Sequence, residues 1–490
     1  MALTKVSFAM IEGDPINVLD YGAVGDGVTD NSAAFQAIIN AVAINGSVNI
    51  YLPAGNYVIE TDLVADDKFI NVFGDGTSST FITYDPATTG GVLFTLKHTV
   101  ANNKSFSFKD LTITTPTANV GTAIKIQTNL TSASSQIYGA TDSLYLNNVR
   151  IAQSSTGYWT KGLHSLNNGG VHLVSVSIDN RVSAAQNDAG TSGIYIQNND
   201  IRVFMIRSLL VTDLWILRAA NLIETDAVGT IESLYINMGE LVGASNAIVK
   251  VRGPLSAVSF NSVHMDTTNK VLDAEGSRLG TTRMTAGDIY KTANGGSTVD
   301  GPLFILDAGE AFTFTGNHVR GSNTTSSSNL NLGFKFTNTY DGSYHFRATI
   351  TGNVFVALYN VYGAVGSIVK FTCDNNSYNN ISNEVYVGTL YGNEIKKYDA
   401  VIATSLIVAM DGTGTQTVNV PLVSNYFSVK YPIAFLQQAS ASGTDKLSIY
   451  YDFAASTSTN CAFVVLGNTV VADVRFSFLA YPVITEVTTN

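Results

Sequence analysis

One short pattern recurs at a fixed interval, and it restricts the chain to very few folds. Leu234, Ile236, Gly239 and Leu241 are followed by Val258, Phe260, Val263 and Met265, then by Thr282, Met284, Gly287 and Ile289. Corresponding positions lie 24 residues apart. Each unit places two inward pairs on either side of a two-residue bend, and strand alternation sends the intervening side chains outward. A unit this short cannot bury its apolar face alone; it does so only by stacking on the next one.

The pattern extends both ways. First inward positions fall at Phe106, Leu144, Val171, Phe204, Leu234, Val258, Thr282, Phe312, Ala348 and Val369, a mean period of roughly 29 residues, the range of stacked solenoid repeats. A second strand motif recurs between them, as in Gly121–Ile126, Gly193–Ile196, Asn246–Val249, Gly301–Ile305 and Gly333–Phe336. Two motifs per turn, the first bent, predict three sheets around a triangular core. The fold class expected is all-β, a right-handed parallel β-helix, its hand following from the crossover rule together with the family resemblance given below. Composition agrees: 45% of residues are hydrophobic but only 13% charged, which suits stacked strands with polar turns and not helical bundles.

Ahead of the repeat stands Asp20-Tyr21-Gly22-Ala23-Val24-Gly25-Asp26-Gly27-Val28-Thr29-Asp30, then an apolar stripe of Phe35, Ile38, Ile39 and Val42, then Leu52-Pro53-Ala54-Gly55-Asn56-Tyr57. A glycine-rich loop, a helix capped by Thr29 or Asp30 and a turn into a strand account for these residues physically. This run resembles the opening of the pectate-lyase-like β-helix proteins, and is especially similar to that of bacteriophage tailspikes and capsule depolymerases. It covers about the first 60 residues. The resemblance implies a polysaccharide-acting spike of a virion tail, assembled as a homotrimer and attached to other tail proteins through its N-terminus. It does not choose a reaction, because the architecture hosts several. The division expected is 1–60 as opening and capping segment, 61–400 as catalytic β-helix, and 401–490 as an antiparallel β-sandwich for trimerisation or carbohydrate binding.

Outward columns, numbered from the first inward residue of each unit, hold the chemistry. The column at +6 reads Arg150, Ser177, Leu210, Glu240, His264, Asp288, His318; at +8 stand Asp266, Tyr290 and Arg320; at +3 Arg207; at +1 Tyr235 and Arg283. With rungs ~4.8 Å apart, Glu240 and Asp288 are ~9.6 Å apart, near the ~6.5–9.5 Å of inverting glycosidases, while pairs with Asp266 suit the shorter retaining distance. Glu240 is therefore the candidate general acid, and Asp266 or Asp288 the base or nucleophile, with His264 between them orienting the acid. Arg207, Arg283, Arg320 and His318 are candidates for holding substrate polar groups, and Tyr235 and Tyr290 for stacking on sugar rings. A second candidate cluster is Glu224, Asp226, Asp273, Glu275 and Asp307, on the other strand motif. Trp159 and Trp215 read as core plugs or as sugar platforms, and His164 and His172 as further site residues.

A net charge of −11 without a basic run argues against nucleic acid as partner. No apolar run reaches ~18 residues, so no membrane span is expected. Two cysteines, Cys373 and Cys461, supply neither a disulfide framework nor a four-thiolate metal site, and no cofactor is called for. The leading functional reading is an endo-acting glycoside hydrolase degrading a bacterial capsular or other surface polysaccharide. The alternatives are a lyase eliminating across a uronic acid, and a non-catalytic glycan-binding spike.

Overall fold

The computed structural model describes residues 15–364, apart from 100–103, 130–136, 139–142, 155, 181–189, 206–207, 292–300, 308, 322–331, 337–345, 357 and 359; beyond 364 it describes chiefly the strands. The chain divides into two compact units, residues 1–369 with 377–393, and 370–376 with 394–490. The first is a parallel β-helix. Its strands pair in parallel, rung on rung, so that Leu209, Leu234, Val258, Thr282, Phe312 and Ala348 lie in one register line. Phe106, Leu144 and Val171 form the same line on lower rungs.

The bend inside each unit has one cause, repeated. The residue at +4 adopts a left-handed backbone on nine rungs: Asp110, Asn148, Ser175, Asp213, Met238, Ser262, Ala286, Gly316 and Gly352 have φ between 50° and 67°. That conformation favours Gly, Asn and Asp, and it turns the strand between the two inward pairs. The third wall is a separate 12-stranded parallel sheet that includes Gly121–Asn129, Ser192–Asn198, Asn221–Ala227 and Ala247–Arg252.

Inside, the stacked side chains are almost fully removed from water: Leu234, Ile236, Leu241, Val258, Phe260, Val263 and Met265 are all buried. Each such side chain contributes about 1.5–3 kcal/mol of transfer free energy. Higher up, Phe304, Phe312, Phe314 and Phe334 pack ring on ring at 4.8–5.9 Å. Asn317 and Asn353 replace aliphatic residues at the inward +5 position, and their amides join successive turns. Asn353 donates to the Phe314 carbonyl at 2.9 Å and Asn317 to the Met284 carbonyl at 3.0 Å.

The lower end is closed by the helix Ser32–Ala41, whose Phe35, Ile38 and Ile39 are buried. Asp30 accepts its first amide, from Ser32, at 2.9 Å. Gln36 imitates a neighbouring strand: its amide donates to the Val64 carbonyl and its carbonyl accepts from the Val64 amide, both at 3.0 Å. An otherwise open sheet edge is thereby satisfied. The Asp26 carboxylate is spent within the opening loop, accepting from the Thr29 and Val28 amides, which hold its carboxyl down at about 2. In the second unit, strands such as Thr415–Pro421, Ile433–Ala439, Asn460–Leu466 and Val474–Ala480 pair antiparallel in two small sheets.

One sequence expectation fails here. The unit placed at Phe204 is out of register: Val203–Met205 is a separate short strand, and the repeat on this rung begins at Leu209. Outward positions on this rung therefore shift by five residues.

Gly239 shows how tightly the bend is built. Its φ is 140°, and a Cβ placed there meets the Leu214 carbonyl oxygen at 2.2 Å. Gly239→Ala is expected to cost about 2–4 kcal/mol, from strain in the backbone and displacement of the rung below; a thermal unfolding scan showing an unchanged midpoint contradicts this account.

Candidate active face

With the register corrected, the +6 column reads Arg150, Ser177, Trp215, Glu240, His264, Asp288, His318 and Val354 on consecutive rungs. Trp215 thus replaces Leu210 directly beneath Glu240 and lies 47% exposed. Trp159, in contrast, is fully buried, stacked on Tyr84 and donating its indole N–H to the Ala152 carbonyl at 2.9 Å. The two tryptophans are disposed oppositely, one a core plug and the other held out to solvent.

Above Glu240 the column is acid and imidazole in alternation. Asp288 Oδ1 lies 3.8 Å from His318 Nδ1, and the same nitrogen is 3.3 Å from the Tyr290 hydroxyl. Tyr290 packs between the rings of His264 and His318, at 5.5 and 5.6 Å. It serves these imidazoles from the neighbouring +8 column, where Asp266, Tyr290 and Arg320 occupy successive rungs. Arg283 and Arg320 are exposed, and Arg283 sits between Ser259 and Thr313 in the +1 column. Glu240 is half-buried, and among the described residues no hydrogen bond or ion pair engages its carboxylate. Arg207 lies outside the described residues; Thr212 holds the +3 position on that rung.

Below Glu240 the face is apolar and aromatic. His172, Leu210, Thr212, Tyr235 and Asn237, with Leu173, Val174 and Val211, line a groove of about 290 Å³. Tyr145 stacks on His172 with ring centroids 4.7 Å apart and planes 17° from parallel. Tyr145, Val174, Trp215, Tyr235 and Met238 are all substantially exposed. Large side chains held out to water on adjacent rungs are costly unless something covers them, and aromatic faces suit the apolar faces of sugar rings. Beside them a ladder of Asn237, Asn261 and Thr285, bonded in series at 3.0 and 2.9 Å, keeps the +3 column rigid.

The second carboxylate cluster is differently disposed. Glu224 is buried, ion-paired with Arg252 and accepting from Ser192 Oγ at 2.6 Å and Asn221 Nδ2 at 2.9 Å. Asp226 accepts from the Tyr195 hydroxyl at 2.8 Å. Asp273 is buried between Lys250 and Lys270, at 2.9 and 3.1 Å, Asp307 receives the Gly276 amide at 2.8 Å, and Glu275 lies 3.7 Å from Lys335. Each of these carboxylates is engaged by a neighbouring cation, hydroxyl or amide. Of the two histidines named from sequence, His172 joins the groove, whereas His164 is mostly buried against Tyr195. Among the described residues no group of three or more His, Cys, Asp or Glu is arranged to hold a metal ion, and no helix is long and apolar enough to cross a membrane.

Residues 15–242 match the family model of rhamnogalacturonase A/epimerase, pectate-lyase-like proteins. This stretch, just under half of the chain, is similar to the pectate-lyase-like β-helix proteins. Its fold is similar to that of the Gp54 tailspike of Acinetobacter baumannii bacteriophage AP22, solved with a capsular saccharide, at a TM-score of 0.50 and 10% identity over 96% of each chain. In sequence it is similar to the tail spike protein of Shigella phage Sf6, 27% identical over 36% of this chain and 29% of that one. It is also similar to the mannuronan C5-epimerase AlgE1 of Azotobacter vinelandii, 34% identical over 20% of this chain and 7% of that one. The matched stretches thus span well under two thirds of these curated relatives. The matched segment ends just past Glu240, so the rungs carrying His264, Asp266 and Asp288 lie beyond it.

Trp215 and the Tyr145–His172 pair are the site residues missing from the +6 and +1 columns as first counted. The signal that places Trp215 is Asp213, whereas Tyr145 and His172 already stand at +1 of the Leu144 and Val171 units. Two frames fit the apolar pattern of this rung, starting at Phe204 or at Leu209, but only the second puts a left-handed-tolerant Asp at +4, above Asn148 and Ser175.

Two outcomes follow. Trp215→Ala is expected to weaken polysaccharide binding about 10-fold, the loss of one stacked ring, with the melting temperature unchanged; affinity electrophoresis against substrate measures it. Burial pushes the Asp273 carboxyl up, but the Lys250 and Lys270 ammonium groups outweigh it and hold it below its usual range. The stabilisation is complete above the unfolded carboxyl value of about 3.9 and is lost as pH falls through the lower folded value. Lys250→Met is therefore expected to narrow the stability gap between pH 7 and pH 3, read by unfolding at the two pH values.

Proposed function

We propose that the chain is a phage tailspike depolymerase that cleaves a bacterial surface polysaccharide within the chain by hydrolysis. The observation that carries this reading is the unengaged carboxylate of Glu240, set between an exposed indole below and an imidazole and second carboxylate above. Sugar rings stack on Tyr145, Tyr235 and Trp215 along the groove, and the polymer continues upward past the acids. A face open at both ends admits an internal stretch of polymer.

Glu240 acts as general acid toward the glycosidic oxygen. Asp288, two rungs or ~9.6 Å away, takes the proton of a water attacking the opposite face of the sugar, which leads to inversion. His264 stands on the rung between them and hydrogen-bonds to the acid only once substrate is seated, while His318, 3.8 Å from Asp288, balances the charge of the base. Arg283 and Arg320 bind acidic or hydroxyl substituents at the upper end. Asp266, one rung up and two residues along the strand from Glu240, is the alternative second carboxylate, at a backbone spacing of ~8 Å that also suits inversion. In the virion the spike is a homotrimer that meets other tail proteins through its N-terminus, and its second unit serves trimerisation or glycan contact.

The decisive measurement uses a panel of capsular and O-chain polysaccharides, scored for reducing ends and for ultraviolet absorbance. Hydrolysis yields reducing ends without absorbance; an absorbing product signifies β-elimination instead. Glu240→Gln is expected to lower kcat about 10²–10⁴-fold while the substrate still binds, and Asp288→Asn to do the same. Full turnover by Glu240→Gln overturns the assignment, and binding of a glycan with no product of either kind makes the protein a receptor-binding spike.

A further inference from the structure

The third sheet, away from the acid–imidazole column, carries a feature that the proposed reaction does not use. Lys97, Lys125 and Lys161 come from three consecutive strands, Gly91–Thr99, Gly121–Asn129 and Lys161–Leu166. Lys97 sits beneath Gln127, Lys125 between Thr95 and His164, and Lys161 above Thr122. In a chain of net charge −11 with only 27 Lys and Arg, three neighbouring ammonium groups are a concentration of one sign.

Their neutralisation is meagre. Lys97 lies 3.9 Å from Asp66, a carboxylate more than half exposed that also accepts from Asn129 Nδ2 at 2.8 Å. Lys161 Nζ stands 4.9 Å over the Tyr195 ring. Among the described residues no carboxylate and no hydrogen bond reaches Lys125. Burial, then Lys97 and Lys161, make the Lys125 ammonium easier to deprotonate. The cations higher on the same sheet are treated otherwise: Arg252 pairs with Glu224, Lys250 and Lys270 with Asp273, and Lys335 with Glu275. Like charges brought together at partial burial raise the energy of the free protein, and an arriving anion relieves it.

We propose that Lys97, Lys125 and Lys161 form an anion-binding face that takes the carboxylates of an acidic glycan. Lysines act as point charges and suit carboxylates presented at several angles. The surroundings fit a sugar: Gln127 and Gln197 offer amides to hydroxyls, and Tyr195 offers a ring. Burial, with Lys125 and Lys161 nearby, drives His164 down to about 3, so it is neutral at ordinary pH and serves as a hydrogen-bonding group, 3.3 Å from Gln197 Oε1. The proposal shares with the hydrolytic reading only a polysaccharide ligand, and not the chemistry at Glu240.

The test measures binding of the full chain to polygalacturonate, to its carboxyl-reduced neutral counterpart and to a glycerol-phosphate teichoic acid, at low and high salt. The K125Q/K161Q double variant is expected to bind polygalacturonate at least 10-fold more weakly with an unchanged melting temperature, and K109Q, a lysine outside the face, to bind as the parent does. Polygalacturonate binding is expected to exceed that of the neutral polymer and to fall with salt. Equal binding by the parent and K125Q/K161Q, or no binding of polygalacturonate at low salt, overturns the proposal. Preference for teichoic acid overturns the carboxylate assignment in favour of phosphate.

Discussion

Everything in the helical unit depends on the left-handed residue at +4. A flat strand of eight residues would run past its neighbours, and the core would open. One residue with φ near 55° turns the chain so that the pairs at 0, +2 and at +5, +7 point to a common interior. Because the same turn recurs on nine rungs, every outward position is also repeated at the rung spacing. Packing and site geometry therefore share one cause: the register that stacks Leu234 on Leu209 also stacks Glu240 on Trp215.

The constraint also explains which parts of the molecule were legible in the sequence. Between Leu234 and Ile289 the interval is constant, no loop intervenes, and the columns counted from sequence are the columns in the structure. At Leu209 the spacing becomes irregular, and apolar pattern alone accepts two frames. Pattern records burial, which both frames satisfy; it does not record backbone handedness, which only Asp213 satisfies. Trp215 was hidden by that ambiguity. The burial of Glu224 and Asp273 was hidden for another reason, since their partners Arg252 and Lys250 stand on adjacent strands at distances in sequence that vary with each loop.

The two outward faces use charge differently. On the third sheet, Glu224 and Asp273 are enclosed by cations, and the cost of removing those carboxylates from water is offset by fixed partners. Such groups hold the rungs together and are poor reactants, because a proton transfer would break the pairs that justify their burial. On the bent sheets Glu240 keeps its carboxylate uncommitted, and Asp288, largely exposed, has only a partly exposed imidazole nearby. The first arrangement is stability and the second is availability.

A stack of rungs imposes a difficulty on any site built along it, and the alternation of residue types answers it. Carboxylates on adjacent rungs of one column would sit ~4.8 Å apart and repel by about 1–3 kcal/mol at the effective dielectric of a surface site. Inserting His264 between Glu240 and Asp288 doubles the separation and halves that repulsion. The doubled separation also leaves room for a water and a glycosidic bond between the two acids, which adjacent carboxylates would not. Below Glu240 the same column turns to an uncharged indole, so the acid has no like charge in its own column on either adjacent rung. The order Trp215, Glu240, His264, Asp288, His318 thus lets a one-residue-per-rung column carry two carboxylates without setting them on adjacent rungs.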